Sequence, residues 1–279
     1  MPLPSSGSQI SLNQIHVEAG GSSGSQASLN DTLIRDLIGK GSGDINRFSD
    51  YHGVTASAPV AVYKGRTLTT GNGFPTGNVT LSSGTKVVVV CIQLAGSGNS
   101  YVSLGGTNMT LAVRQNDPHP MSATAGGPGP VWGAALETAI YYITTSASGS
   151  VQVTGNGGSG RSTADVYEIT GYNSATPYTT DSAKNTDLDN SATITVASNY
   201  NGVTIGCGMS EDGTSATATT VTNADAVQQI HLESATAHFS WKDEGTPSGN
   251  VNYVQNTTGT GLAGVGGGMP VNLCTASWK

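Results

Sequence analysis

Val87-Val88-Val89-Val90-Cys91-Ile92 is the longest apolar run in the chain. It is far shorter than the roughly 20 residues that a membrane-crossing helix needs. Its β-branched residues favour a pleated strand. The run does not alternate, so it predicts a central strand covered on both faces. Ala192-Thr193-Ile194-Thr195-Val196 does alternate, and predicts an antiparallel strand with one face in water. Between and around these two, short strand-like stretches recur from about residue 60. They are Val60–Tyr63, Asn78–Leu81, Lys86–Leu94, Tyr101–Leu104, Thr110–Arg114, Leu136–Thr144 and Ser150–Thr154. The series continues with Ala164–Thr170, Ala192–Ala197, Gly202–Cys207, Thr217–Val221, Val227–Leu232, Ala235–Trp241 and Asn272–Trp278. Gly and Asn fill the gaps, which is turn chemistry. Leu262–Met269 is Gly-dense and reads as a loop. Regular short strands with Gly-rich turns predict a sandwich or barrel.

The composition agrees with that reading. Among 279 residues, 39 are Gly and only 10% are charged, against about 25% in a typical soluble domain. The net charge is -7, with 11 Lys and Arg and no basic cluster. A phosphate-neutralising surface is therefore not expected, and nucleic acid is not an expected partner. Met1-Pro2-Leu3-Pro4-Ser5-Ser6 has neither the positive nor the apolar region of a secretory leader. Synthesis in a cytoplasm and no membrane insertion are the expectations. Cys91, Cys207 and Cys274 each sit in a strand-like stretch without CxxC spacing. They read as three buried thiols acting as small hydrophobes, not as a disulfide framework or a zinc site.

The first fifty residues differ. Leu29, Leu33, Ile34, Leu37 and Ile38 recur at helical spacing. Ser28 with Asp31 three residues on forms a weak capping box, and Gly39 stands where a helix ends. Upstream, Ile10-Ser11-Leu12-Asn13-Gln14 echoes Ala27-Ser28-Leu29-Asn30-Asp31, with Ser11 and Gln14 as a capping pair of their own. Gly20-Gly21-Ser22-Ser23-Gly24-Ser25 reads as a flexible connector. Phe48-Ser49-Asp50-Tyr51-His52-Gly53 closes the segment, which is too small to expect a core of its own. Its apolar stripe must pack on the body, a sister subunit or another protein.

The order of these pieces resembles a motif at the start of many phage virion structural proteins, notably those of cyanophages and other marine phages. Ile10-Ser11-Leu12-Asn13-Gln14-Ile15-His16-Val17-Glu18-Ala19-Gly20-Gly21 carries it. It continues through Ala27–Asp31 and Ile34-Arg35-Asp36-Leu37-Ile38-Gly39 to the Phe48–Gly53 terminator. The family's terminator more often has an aromatic pair before the Gly, whereas here His52 stands there. The match covers about a fifth of the chain. In the body, Val87–Ile92, Val102–Thr107, Ala139–Tyr142, Ser150–Thr154 and Ala164–Gly171 resemble a β-sandwich module of phage tail and appendage proteins. The resemblance implies a virion component without naming its part of the particle.

Catalytic constellations are sparse. His231 and His238 would neighbour each other across a turn at Glu233-Ser234, but a metal site needs further ligands. Asp187, Asp189 and Asn190 lack the Gly and distal Glu of a calcium loop. Glu137, Glu168 and Glu211 are the acids from which a glycosidase pair would be drawn. Gly20-Gly21-Ser22-Ser23-Gly24 has no strand before it, unlike a nucleophile elbow. Trp132, Tyr172, Tyr178 and Tyr200 fall in or near expected loops, where rings stack on sugars or plug a sandwich end.

The expected architecture is all-β: a jelly-roll-like antiparallel β-sandwich body over residues 56–279, preceded by a small helical attachment segment over residues 1–55. A division of the body near Pro177–Asn190 is the alternative to one wide sandwich. The expected role is a non-enzymatic, cofactor-free structural component of a phage tail or tail appendage. It would be a homo-oligomer (trimer or hexamer), contacting other virion proteins and host surface glycan. Ile10, Leu12, Ile15, Val17, Leu29, Leu33, Ile34, Leu37, Ile38, Phe48 and Tyr51 are the expected attachment residues. Capsid decoration or a head fibre is the alternative, and a polysaccharide-cleaving tail enzyme the third.

Overall fold

The computed structural model describes residues 3–279 apart from 20, 32–33, 36, 39, 42, 54–58, 72, 96–99, 118–135, 159–161, 173, 186–190, 199–201, 212–215, 233–235, 247–248 and 260–270. Nine strands follow the N-terminal segment: β1 Val60–Thr69, β2 Gly77–Leu81, β3 Lys86–Ala95, β4 Tyr101–Leu104, β5 Thr107–Asn108, β6 Thr110–Asp117, β7 Leu136–Thr145, β8 Gly149–Asn156 and β9 Ser162–Thr170. They form two antiparallel sheets. Sheet A has the order β1-β9-β3-β7-β6, and sheet B the order β2-β8-β4-β5. The chain crosses between the sheets at every step except β4 to β5 and β6 to β7, which is the double-sheet winding of a jelly roll.

Eight more strands complete the body: β10 Thr179–Asn185, β11 Ser191–Ser198, β12 Gly202–Glu211, β13 Ala216–Val221, β14 Ala226–Leu232, β15 Thr236–Thr246, β16 Gly249–Gly259 and β17 Val271–Trp278. Sheet C runs β10-β17-β12-β15-β14, and sheet D runs β11-β16-β13. Replacing β10, β17, β12, β15 and β14 by β1, β9, β3, β7 and β6 reproduces sheet A strand for strand. Sheet D likewise repeats β2-β8-β4. The body is thus two jelly rolls of one winding, joined across residues 171–178.

The four sheets stack in the order B, A, C, D. Val88, Val90, Ile92 and Leu94 of β3 face sheet B, against Val79, Val102, Leu104 and Val153. Val87, Val89 and Cys91 of the same strand face sheet C, against Val203, Ile205, Cys207, Cys274 and Trp278. The unalternating run is therefore buried on both sides, as its sequence predicts. A third core lies between sheets C and D, around Ile194, Val196, Phe239, Trp241, Tyr253 and Leu273.

Register makes the repeat specific. Cys91 lies opposite Ile140, and Cys207 opposite Ser240. On that alignment Val90 beside Tyr141 corresponds to Gly206 beside Trp241, and Ile92 beside Ala139 to Gly208 beside Phe239. Where the first jelly roll has a branched residue on its central strand, the second has glycine roofed by a large ring. Interiors packed near crystal density require such paired volume exchange. Ser148-Gly149-Ser150-Val151-Gln152-Val153-Thr154-Gly155-Asn156 and Ser248-Gly249-Asn250-Val251-Asn252-Tyr253-Val254-Gln255-Asn256 preserve the strongest sequence echo.

Sheets A and C meet as a self-complementary contact does, with matching elements facing each other. Cys91 and the corresponding Cys207 approach one another at its centre. The edge strand β6 packs over β10, and reciprocally β1 meets β14, where the Arg66 guanidinium donates to Gln228 O at 3.1 Å. The contact is hydrogen-bonded as well as apolar. Tyr167 and Ser240 hydroxyls lie 2.7 Å apart, and Lys242 Nζ donates to Ala61 O at 2.7 Å. Gln93 Nε2 donates to Phe239 O at 3.3 Å. Asp165 is buried there against Arg66 at 2.7 Å. These bonds satisfy polar groups that burial would otherwise penalise.

Of the helix expected over residues 29–38, the N-terminal segment shows Ile34 and Arg35 as helical, with Arg35 N donating to Asp31 O at 3.0 Å. Its longer described helix is α1, Leu12–Glu18. Ser11 and Gln14 close a full capping box: Gln14 N donates to Ser11 Oγ at 3.2 Å and Ser11 N to Gln14 Oε1 at 2.8 Å. In the later echo Asp31 Oδ2 accepts from Ser28 N at 2.7 Å, but the Ser28 hydroxyl is turned to Asn30 N at 3.2 Å. Residues 29–31 accordingly make a turn, Ile34 and Arg35 are helical, and Leu37 and Ile38 lie in another turn. Ser and Asp side chains bonding nearby backbone compete with helix in this way.

The segment also has a core, contrary to expectation. Leu3, Ile15, Ala19, Ile34 and Tyr51 are buried together, with Ile10, Leu12, Ala27, Leu29, Leu37 and Ile38 packed around them. Gly53 N donates to Pro4 O at 2.9 Å, tying the ends of the segment together. The Gly/Ser connector is pinned as well, by Gly24 N donating to Asn13 Oδ1 at 2.8 Å and Gly21 N to His16 O at 2.8 Å. Gly21 is required sterically, because a Cβ there would fall 2.0 Å from the His16 ring.

Candidate functional site

The expected attachment residues separate into two groups. Ile15, Ile34 and Tyr51 are buried in the small N-terminal core, and Ile10, Leu12, Leu29, Leu37 and Ile38 line it. The first three are covered within the unit, and the other five are partly buried around them. Val17 on α1 and Phe48 in the 3-10 turn Phe48–Tyr51 are exposed, at 44% and 42%. Ile45, which the sequence pattern does not single out, is 73% exposed. Leu33 lies outside the described residues. Polar contacts fix the loops carrying this surface. Arg35 donates twice to Asp44 O, at 3.1 and 2.8 Å, and Lys40 pairs with Asp50 at 2.6 Å. Hydrogen bonds from Lys40 and from Arg47 N hold the Asp50 carboxyl below its ordinary range.

Of the candidate acids of a glycosidase pair, Glu137 and Glu168 do not converge. Glu137 on β7 lies opposite Leu94 of β3, whereas Glu168 on β9 lies opposite Val88. Six residues of strand separate these positions, or roughly 20 Å, against about 5–9.5 Å between the carboxyls of a working pair. Each is engaged locally. Burial would raise the Glu168 carboxyl, but Ser82 N and Oγ at 2.6 and 2.8 Å and Lys64 at 3.1 Å outweigh it and hold it low. Glu211 ends β12 in the other jelly roll, where its backbone pairs with Thr236, and its side chain is outside the described residues.

Glu137 belongs to a buried charged cluster of the first jelly roll. Its Oε1 meets Arg114 Nε at 2.9 Å and accepts from Ser100 Oγ. Arg114 donates to Ser100 O at 2.6 Å and to the Tyr141 hydroxyl, which in turn donates to Ser100 O at 2.6 Å. Glu137 Oε2 is buried without a hydrogen bond. In the second jelly roll Gln229, Ala237 and Trp241 occupy the corresponding places of Arg114, Glu137 and Tyr141. The cluster knots the end of β6, β7 and the approach to β4. Its serine hydroxyl faces a carboxylate with an arginine beside it, without the imidazole that activates a serine nucleophile.

The remaining candidates are structural in their contacts. His238 is buried with Nδ1 3.0 Å from Thr163 Oγ1, in the contact between the jelly rolls. His231 lies on the neighbouring strand opposite Ala237, with its side chain outside the described residues. Cys91, Cys207 and Cys274 are free and buried together, and burial pushes the Cys207 and Cys274 thiols up, so both stay protonated. Among the described residues no three His, Cys, Asp or Glu are grouped to hold a metal ion, and no helix is long and apolar enough to cross a membrane. Asp187, Asp189, Asn190, Trp132, Tyr200 and the Leu262–Met269 stretch fall outside the described residues. Tyr172 packs against the inter-sandwich core, and Tyr178 lies under Lys279 Nζ at 4.6 Å. The exposed ring that stands on a sheet face is Tyr101, on β4, at 53% exposure. Its place inside a strand-like stretch, and not a loop, hides it from a loop-based search.

Asp243 gives the second jelly roll a pH response. It is 4% exposed and accepts from Tyr253 OH at 2.6 Å. Burial, with Asp225 and Glu244 nearby, pushes its carboxyl up to about 6 from 3.8. The folded chain therefore holds this proton where the unfolded chain has released it. The group favours folding fully below about pH 4, and that contribution is lost as pH rises towards about 6. Asp243→Asn keeps an acceptor for Tyr253 without the charge. We expect it to stabilise the chain by about 1–3 kcal/mol near neutral pH and to flatten the stability profile between about pH 4 and 6. Urea titrations across that range measure both effects.

Compared with known proteins, the chain matches no protein-family model, and no curated protein aligns with it at a significant level.

Proposed function

We propose that the chain is a structural subunit of a tailed-phage particle, in the tail or a tail appendage, held by its N-terminal unit with the double jelly roll projecting. The observation that carries this reading is the N-terminal motif read together with its fold. The residues of the resemblance build a separate tied-off unit, with Val17, Ile45 and Phe48 left on its surface. Burying those side chains against a neighbouring virion protein would supply the driving force for attachment. The body supports the reading through its stability devices: three stacked cores, without disulfides among the described residues. Self-association of the subunit in the particle, as a trimer or hexamer, belongs to the same proposal, as does contact with the host surface.

Immunogold labelling of intact particles with an antibody to the body tests the location. Label at the tail or its appendages is the expected result. Label spread over the head would replace this reading with capsid decoration or a head fibre.

A further inference from the structure

The distribution of charge among the four sheets is inverted. β2, β4, β5 and β8 of sheet B contain no Asp, Glu, Lys or Arg, and neither do β11, β13 and β16 of sheet D. All the charged strand residues lie in sheets A and C, the inner layers, including Arg66, Arg114, Glu137, Asp165, Glu168 and Asp243. Water-facing strands ordinarily carry the charges, which keep sheets soluble and apart. The two outermost sheets here present hydroxyls and amides instead.

Sheet B adds an aromatic ring. Val102, Leu104, Val151 and Val153 are buried in the first core, so strand alternation turns Tyr101, Gln152, Thr154 and Asn156 outward, with Ser103 covered between them. Ser103 and Thr154 hydroxyls are linked at 2.6 Å, and Asn156 Oδ1 accepts from Tyr101 N at 2.8 Å. The ring thus stands on a hydrogen-bonded strand pair that fixes its base.

We propose that the outward face of sheet B binds neutral polysaccharide, with a sugar ring stacked on Tyr101 and its hydroxyls bonded by Gln152, Thr154 and Asn156. The proposal rests on the host-contact reading above and names the face and the ligand class. Tyrosine offers an apolar face with a polar tip, suited to a surface both wet and apolar. Hydroxyl and amide side chains both donate and accept, matching sugar hydroxyls. A face without charge offers nothing to pair with phosphate, sulfate or carboxylate groups, which selects a neutral glycan over an anionic one. Sheet D shares the uncharged chemistry but has no exposed ring among its described residues, and serves as the control within the same chain.

The test is retention of the full chain on beads of immobilised neutral glucan, mannan and galactan, beside an anionic alginate matrix, at low and high salt. Retention on at least one neutral matrix, unchanged by salt, is expected, because no ion pair is involved. Tyr101→Ala should weaken it about tenfold, Tyr101→Phe should largely keep it, and Thr195→Ala on sheet D should leave it unchanged. Absence of retention on every neutral matrix overturns the proposal. So does binding that is confined to alginate and lost in salt, or binding indifferent to Tyr101→Ala. Particle labelling decides the virion reading separately, so failure on the beads leaves that result standing.

Discussion

Gly206→Ala should cost the chain about 3 kcal/mol of stability, although it adds a single methyl group. A Cβ at this position would lie 2.1 and 2.2 Å from two atoms of the Trp241 indole. The indole has nowhere to retreat. It is fully buried, stacked on Phe239 at 6.1 Å between centroids and tilted against Tyr253 at 5.9 Å. The repeat supplies the rescue. The corresponding pair in the first jelly roll is Val90 with Tyr141, so Gly206→Val combined with Trp241→Tyr should recover part of the loss. Urea denaturation of the single and double variants measures both. A single variant within about 0.5 kcal/mol of the parent chain would contradict the packing described for β12 and β15.

The second large effect is expected at Arg114. Arg114→Ala leaves the Glu137 carboxylate buried, 1% exposed, with one oxygen already lacking a hydrogen bond. Breaking one side of a buried ion pair costs about 3–5 kcal/mol, because the remaining charge is uncompensated. Adding Glu137→Gln removes that charge and should return part of the stability. The second jelly roll is built on the same strand order with Gln229 and Ala237 in place of the pair. A loss below about 1 kcal/mol for Arg114→Ala would show that Glu137 is solvated or otherwise paired, and would reopen it as a reactive group.

Much of the all-β body is legible because burial leaves a direct mark on sequence. Val87–Ile92 lacks alternation since both of its faces are covered, and Ala192–Val196 alternates since one is not. β10 and β16 leave no such mark. Thr179–Asn185 holds a single small apolar residue, because it is an edge strand of sheet C. Gly249–Gly259 is rich in Asn and Gly and reads as turn, yet it is the middle strand of sheet D. Its Val251, Tyr253 and Gln255 alternate inward, and Gln255 breaks the apolar pattern.

The repeat was hidden by compensation. Volume moved from the central strand to its neighbour, so Val90 with Tyr141 became Gly206 with Trp241 and the residue patterns ceased to match. At the N-terminus, helical spacing over Leu29–Ile38 overstates the helix at its start, where residues 29–31 form a turn around Ser28 and Asp31, while Ile34 and Arg35 are helical. The same residues are still the right core, since Ile34, Leu37 and Ile38 pack on Ile15. The scattered acids and histidines could not be paired from sequence. Whether two carboxylates converge depends on register, and register sets Glu137 and Glu168 at opposite ends of sheet A.

We propose above that this chain is a built-in part of a phage particle, attached through residues 1–53. The most direct measurement is quantitative peptide mass spectrometry of gradient-purified particles, made with the full chain or with a chain lacking residues 1–53. The full chain is expected at a fixed ratio to other particle proteins and the shortened chain absent, though folded in the lysate. Absence of the full chain from purified particles, or equal incorporation of both forms, would contradict it.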